Sequence, residues 1–266
     1  MEQRSYHTFG AGQAAVLRSA SDYPVPALDA GAMWYAKLLW FYCNGIRSVR
    51  LAPGEFRSQG TMTIPANMTL VGSGVRSILA VPDGYDAVLQ EGAELRGLTL
   101  ACGKAPDGGG LQLGAGSVIH NCVVALPEPY DTSTAPDAVV CAQGVNAVVT
   151  HSRITFLAHK GVWTLDNGAA VVDCEIDIGA GRARTEADAV LTSLNATVRI
   201  LGNRFQDSAA TPAAYVAMYL VDGCVATGND CGFQAALPSD PLGQIWIPAT
   251  AAMCPVTENV AKIVTY

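Results

Sequence analysis

The sequence is poor in charge and has no long apolar run. Only 15% of its 266 residues are charged, with 16 Lys and Arg against 23 Asp and Glu, a formal balance of −7. A phosphate backbone is neutralised by grouped cations, and their scarcity argues against a nucleic-acid partner. No stretch reaches the roughly 18 unbroken apolar residues of a bilayer-spanning helix; the segment from Met33 to Cys43 is shorter and carries Lys37. Residues 1–12 are polar, without the apolar core behind a basic end that marks a secretory leader. Eight cysteines stand singly in apolar stretches with no CxxC spacing, and they read as reduced, buried, small hydrophobes rather than four disulfides. These absences lead to the expectation of a cytoplasmic protein with no membrane partner. Half of the residues are apolar, which excludes general disorder, and the chain is long enough for a large core.

A persistent 3.6-residue apolar stripe is missing too, while period-2 alternation is present, as at Val172, Cys174, Ile176 and Ile178. What organises the chain is an imperfect repeat. Gly110-Leu-Gln-Leu, Ala138-Val-Val-Cys, Gly161-Val-Trp-Thr, Ala189-Val-Leu-Thr and Tyr215-Val-Ala-Met each open a unit of strand, Gly/Asn turn, strand, small polar residue and strand. The small residues are Asn121, Ser152, Cys174, Asn203, Asn229 and Asn259, spaced by 31, 22, 29, 26 and 30. Such a unit holds three short strands, none able to bury both faces alone. Stacking coils about 4.8 Å apart pairs every strand with the ones above and below, and an amide at a fixed position can bond its equivalent one coil away. The pattern predicts an all-β, three-sided parallel solenoid.

The stretch GTMTIPANMTLVGSG at 60–74, preceded by VRLAPGEF at 49–56, resembles the opening coils of the pectin-lyase-like right-handed parallel β-helix superfamily. There a capping helix leads to an x-L-P-P-G-x-Y strand and then T-L-x-G-x-G. The resemblance spans about residues 27–260 and implies a right-handed β-helix with an N-terminal capping α-helix. Leu28, Ala32, Tyr35, Leu39 and Tyr42 recur at the spacing of one helical face, with Gly45 as its C-terminal stop; an ordinary surface helix is the alternative. The expected layout is an N-terminal segment and cap at 1–48 and a β-helix at 49–266, a single domain overall.

The register of the first strand in each unit sets the candidate site. Leu111, Leu113, Val139, Cys141, Val162, Thr164, Val190 and Thr192 are expected inside. Gln112, Val140, Ala142, Trp163, Leu165, Leu191, Ser193, Tyr219 and Trp246 are then expected outside, on the face that by resemblance carries the substrate groove. So apolar a face implies either a pocket for a partly apolar ligand or a surface covered by loops or a second subunit. Asp137, Lys160 and Asp188 each immediately precede this strand, at neighbouring coil positions. A lysine between two carboxylates can hold one ionised as a base while His159 or Tyr130 supplies a proton. Residues 126–136 and 179–187 would bring Tyr130, Asp131, Arg182 and Arg184 over the groove, with Glu186 near His159. A solvated ion-pair ladder is the alternative.

Other clusters are weaker. Asp166 with Asn167-Gly168 suits a turn. Asp173, Glu175 and Asp177 alternate and would offer calcium ligands, but an acidic outer face partnered by Arg153 and Arg204 explains them as well. His120 and His151 are placed as a structural pair without the third ligand that zinc needs. Asn67-Met-Thr and Asn195-Ala-Thr match glycosylation acceptors, which without export have no role. There is no P-loop, GxGxxG after a strand, GxSxG or HExxH, nor the Asn-Thr-Asp, Asp-Asp and Gly-His-Gly set of polygalacturonases; the calcium-binding aspartates and catalytic arginine of pectate lyases have no residue-by-residue counterpart. Three functions remain: an intracellular acid–base lyase, isomerase or cyclase acting without an organic cofactor, and with no clear calcium motif, on a small, partly apolar molecule; a polysaccharide lyase or related carbohydrate enzyme; and a non-catalytic β-helix module, such as a spike, whose apolar face joins a homo-oligomer. The first is the expectation taken forward.

Overall fold

Three strands per coil, one in each of three parallel sheets, build the computed structural model of the chain. It describes residues 4–5, 18–19, 25–104, 110–126, 138–156, 161–177, 190–195, 197–206, 217–231, 245–247, 255–259 and 263–265. Sheet I stacks ten strands, from Ala27–Leu28 and Ser48–Leu51 to Val256–Thr257. Sheet II stacks seven, from Gly54–Arg57 to Arg204–Gln206, and sheet III nine, from Met62–Ile64 to Ile263–Thr265. Each strand pairs in parallel with its equivalents in the neighbouring coils. Arg4–Ser5 and Arg18–Ser19 form a separate antiparallel pair. The expected three-sided solenoid is therefore the observed architecture, and its interior is one continuous apolar column from Leu28 to Ile247.

Two of the three corners are set by single residues in the left-handed backbone region. Between sheets III and I the column runs Asn67, Gly92, Gly116, Asn146, Gly168, Thr197 and Gly223, with φ from +56° to +86°. Between sheets I and II it runs Gly97, Asn121, His151, Asp173, Gly202, Gly228 and Glu258, with φ from +50° to +68°. Gly and Asn reach this region at least cost, which is why the sequence shows a Gly/Asn turn in every unit. Stacking adds a second demand. A Cβ at Gly168 would overlap the amide oxygen of Asn146, and one at Gly202 would overlap a carboxylate oxygen of Asp173.

The residue after the second corner is the expected anchor, with one shift. Cys122, not Asn121, is in line with Ser152, Cys174, Asn203, Asn229 and Asn259; Asn121 takes the exposed left-handed position instead. Asn229 Oδ1 accepts from the Asn203 backbone N–H (3.0 Å) and Nδ2 (2.9 Å), and Asn259 Oδ1 accepts from the same groups of Asn229 (2.8 and 2.9 Å). Asn203 Oδ1 accepts from Cys174 N–H, and Ser152 Oγ from Cys122 N–H. The thiols of Cys122 and Cys174 donate to the carbonyls of His120 and Val172, two residues back (3.3 Å each), just as Ser152 Oγ donates to Thr150 O. Cysteine here is a small donor filling an Asn-sized slot.

Helix α1, Trp34–Cys43, sits between the first two strands of sheet I. Its buried residues are Trp34 and Leu38. Leu39, expected on the inner face, is exposed, and Leu28 belongs to the first strand of sheet I. The face is rotated by one residue because Trp34 anchors it: its indole N–H donates to Arg57 O (2.8 Å) and its ring meets Phe56 edge-on at 5.6 Å. Tyr35 bridges to sheet III by donating to Thr63 O (2.9 Å). Gly45, at φ +80°, ends the helix as expected.

Candidate functional site

The outer face of sheet III is only partly the one expected: Leu111, Leu113, Cys141, Val162 and Val190 are buried and Gln112 and Ala142 lie outside as expected, but from Val140 onward other residues change sides. Val140, Trp163, Leu165 and Leu191 are all at most 1% exposed and point into the core. Thr164 and Thr192, expected inside, point out and form a continuous row with Val88, Gln112, Ala142 and Tyr219. The cause is a bulge. Ala138 and Val139 pair with Gly161 and Val162, but the next partners are Cys141 and Trp163, so Val140 is an extra residue in its strand. One slipped residue exchanges the two faces of every later strand aligned through it. Tyr219 is outside as expected, and Trp246 is its backbone partner in the next coil. Ser193, expected outside, is buried and accepts a hydrogen bond from Val221 N–H.

Trp163 is accommodated inside because a buried polar partner meets its indole. Gln143 Oε1 accepts from Trp163 Nε1–H (3.1 Å), and Gln143 Nε2 donates to Ala147 O (2.6 Å) and Ala170 O (2.9 Å). The indole N–H and the Gln143 amide are thereby satisfied within a mostly apolar interior.

A depression of about 360 Å³ opens where the sheet III strands end. The residues that follow those strands in successive coils are Gln90, Gly114, Gly144, Asp166 and Leu194, linked by hydrogen bonds such as Gly114 N–H to Leu89 O (2.7 Å) and Asp166 N–H to Gln143 O (2.9 Å). A Cβ at Gly114 or Gly144 would lie 2.7 Å from the carbonyl of Leu89 or Leu113, so coil stacking itself excludes side chains there. The result is a notch two coils wide between Gln90 and Asp166, backed by Gln112, Ala142 and Thr164. Asp166 Oδ1 accepts from Asn167 N–H (2.7 Å) and Asn195 Nδ2 (2.5 Å), which fixes its carboxylate on the rim. The turn role read for Asp166 is real, and the same residue faces the depression. Sequence reasoning missed the notch, although two glycines each following a sheet III strand by one residue were its signal.

A second feature was not anticipated. Asp86, just before the strand Ala87–Leu89, has Oδ1 buried without a hydrogen-bond partner among the described residues, while its Oδ2 is 3.5 Å from Gln112 Nε2. Burial raises its carboxyl above the ordinary range.

Of the remaining candidates, Asp137, Lys160, Asp188, His159, Tyr130 and Arg182 lie outside the described residues, as do Asp131, Arg184 and Glu186. His120 and His151 do meet, with rings edge-to-face at 5.3 Å, but His120 pairs with Thr150 and His151 is one position further on, at the corner. His151 Nδ1 is 2.6 Å from Thr150 Oγ1, and its Nε2 is 3.6 Å from Asp173 Oδ2. Asp173 is a corner residue and Asp177 is buried, so the three acidic residues do not share one solvated face. Glu175 is flanked by Arg153 and Arg204 as expected. Among the described residues no group of His, Cys, Asp and Glu is arranged to hold a metal ion, and no helix is long and apolar enough to cross a membrane.

The class of protein is thus a parallel β-helix, in keeping with the resemblance seen at residues 49–74. No family model matches the chain, and no curated protein matches it. Among solved structures, the A-module of mannuronan C-5 epimerase AlgE4 from Azotobacter vinelandii is matched over 86% of this chain and 90% of that one, with 15% identity and a TM-score of 0.32. At that TM-score the likeness carries no argument about chemistry.

Proposed function

We propose that this is a carbohydrate-active β-helix protein that binds a saccharide along the outer face of sheet III. The observation that carries the reading is the row Val88, Gln112, Ala142, Thr164, Thr192 and Tyr219 beside the notch. Amide, hydroxyl and hydrocarbon groups alternate there, and a sugar presents the same mixture of hydroxyl edges and C–H faces. Each coil adds one such position at about 4.8 Å, a ruler for an extended polymer. The reading of a small, partly apolar substrate rested on Val140, Trp163 and Leu191 being outside, and it loses its support with their burial.

Acid–base chemistry is assigned, in this proposal, to Asp137, Lys160 and Asp188, with His159 as proton donor. The support is register: Ala138 and Gly161, which directly follow Asp137 and Lys160, are backbone partners. Gly161, at that end of the strand, is about 17 Å from Asp166 at roughly 3.3 Å per residue, so the carboxylate of the notch binds and does not share in bond-breaking. Titration of the full chain with a panel of oligosaccharides, read by calorimetry and by product analysis, tests the proposal. Asp137→Asn and Lys160→Ala are expected to lower turnover by at least about 100-fold with saccharide binding and melting temperature retained. Absence of binding to every saccharide in the panel overturns the function; full activity in both variants overturns the acid–base assignment alone.

A further inference from the structure

We infer that the notch between Gln90 and Asp166 selects a neutral sugar residue and rejects a uronate, an inference that rests on the saccharide reading of sheet III and names its substrate class. The argument is one of charge and donors. The described lining holds one carboxylate, Asp166, and no Lys or Arg; its other polar side chains are Gln90, Gln112, Gln143 and Thr164. Gln143 is fully used inside the core by Trp163, Ala147 and Ala170. Asp166 Oδ1 is occupied by Asn167 N–H and Asn195 Nδ2, while Oδ2 takes no hydrogen bond from the described residues.

A free carboxylate oxygen on a fixed rim is an acceptor, and it is complemented by a hydroxyl donor. A uronate brought to the same place sets two anions together with no Lys or Arg among the described lining residues to offset them, and like charges at such range repel. The Gln112 amide and Thr164 hydroxyl supply neutral donor and acceptor groups opposite. Ala142 and Leu194 give the hydrocarbon surface on which a sugar's C–H face rests. The volume, about 360 Å³, lies near the lower bound of ligand pockets, which run from about 300 to 1,000 Å³, and suits a short stretch of glycan rather than a branched one. The glycine floor is fixed by stacking, since a Cβ at Gly114 or Gly144 would lie 2.7 Å from the carbonyl of the coil before.

The test uses the full chain with cellopentaose, xylopentaose and maltopentaose as neutral probes and tetragalacturonate as the charged one, by calorimetry at low and high salt. The expected result is saturable binding of a neutral probe that is insensitive to salt, and at least tenfold weaker or undetectable binding of tetragalacturonate. Ala142→Phe, which fills the notch from an outward position, is expected to weaken neutral binding tenfold or more. Asp166→Asn keeps an acceptor for Asn167 N–H but replaces the free oxygen by a donor, and is expected to weaken neutral binding several-fold. Unchanged tryptophan emission from buried Trp163 checks that both variants fold, and Gln112→Ala serves as a third variant if either does not. Tighter binding of tetragalacturonate, strengthened by Asp166→Asn, overturns this inference and leaves the saccharide reading standing. Neutral binding unaffected by all three variants overturns the notch as the site. Failure of every probe removes the saccharide reading and this inference with it.

Discussion

Gln143 and Trp163 lie 20 residues apart in sequence and meet in the core. Replacing the glutamine by methionine keeps the volume close but leaves the indole N–H of Trp163 without its acceptor; the Ala147 carbonyl still accepts from Ala170 N–H (3.0 Å). An unsatisfied buried group costs about 1–3 kcal/mol, so Gln143→Met is expected to destabilise by about that amount in urea denaturation. Collisional quenching checks the same placement: Trp163, 1% exposed, is shielded, whereas Trp40, 60% exposed, is open. Reading Trp163 as outward-facing was the natural error of sequence inspection, because a tryptophan in an interior needs a partner for its N–H and that partner came from another coil. The cysteines, by contrast, were legible from their apolar neighbours. Among the described residues only Cys43 is exposed; burial pushes the thiol of Cys102 up to about 12 and those of Cys122 and Cys174 to about 11. At pH 8 the native protein is therefore expected to alkylate rapidly at Cys43 and at none of these three, with mass spectrometry as the readout. Because these thiols have folded values above the unfolded value near 9, their protonated form favours the fold. That contribution is complete below pH 9 and is lost as pH rises through about 11 to 12. Melting temperature is expected to fall across that alkaline window and to fall less in Cys122→Ser.

At the scale of the element, the anchor ladder is what the repeat announced. Four of its members were identified correctly and in register, Ser152, Cys174, Asn203 and Asn229, and Asn259 closes it. The slip at Asn121 has a physical cause: asparagine suits both the buried amide ladder and the exposed left-handed corner, and composition alone does not separate the two. Asn203→Leu is expected to cost about 2–4 kcal/mol by leaving Cys174 N–H and Val171 O unpaired in the interior. Cys174→Asn is expected to be tolerated, since the thiol already donates where an Asn amide would. Opposite outcomes, read by chemical denaturation, would mean that the column is held by packing and not by its hydrogen bonds. Sheet III was less legible than the ladder because its register turns on a bulge at Val140, an irregularity that no alternation of apolar residues reveals.

At the scale of the whole molecule, nearly all stabilising contacts join one coil to the next, and such proteins behave as one-dimensional stacks. Arg199 and Val225 are register partners. Deleting residues 199–224 therefore sets Val225 where Arg199 stood and Asn229 where Asn203 stood, beneath Cys174. The shortened chain is expected to fold cooperatively with a smaller denaturant m-value, in proportion to the surface no longer buried; an unfolded product would mean that the coils are not interchangeable. The three corners differ in what such surgery can reach. From sheet I to sheet II the link is two residues in every coil from Gly97 onward, and the left-handed columns hold both that corner and the one after sheet III. The links from sheet II to sheet III run instead over 103–110, 127–137, 157–160, 178–190 and 207–217. Variation in length is thus greatest on one flank of the prism, next to the face proposed to bind, while the links from sheet III to sheet I hold to four or five residues as far as Val225. That flank is where new segments can be spliced in without disturbing the stack, so a change of specificity in this lineage, or a foreign epitope in the laboratory, has one natural place to be written.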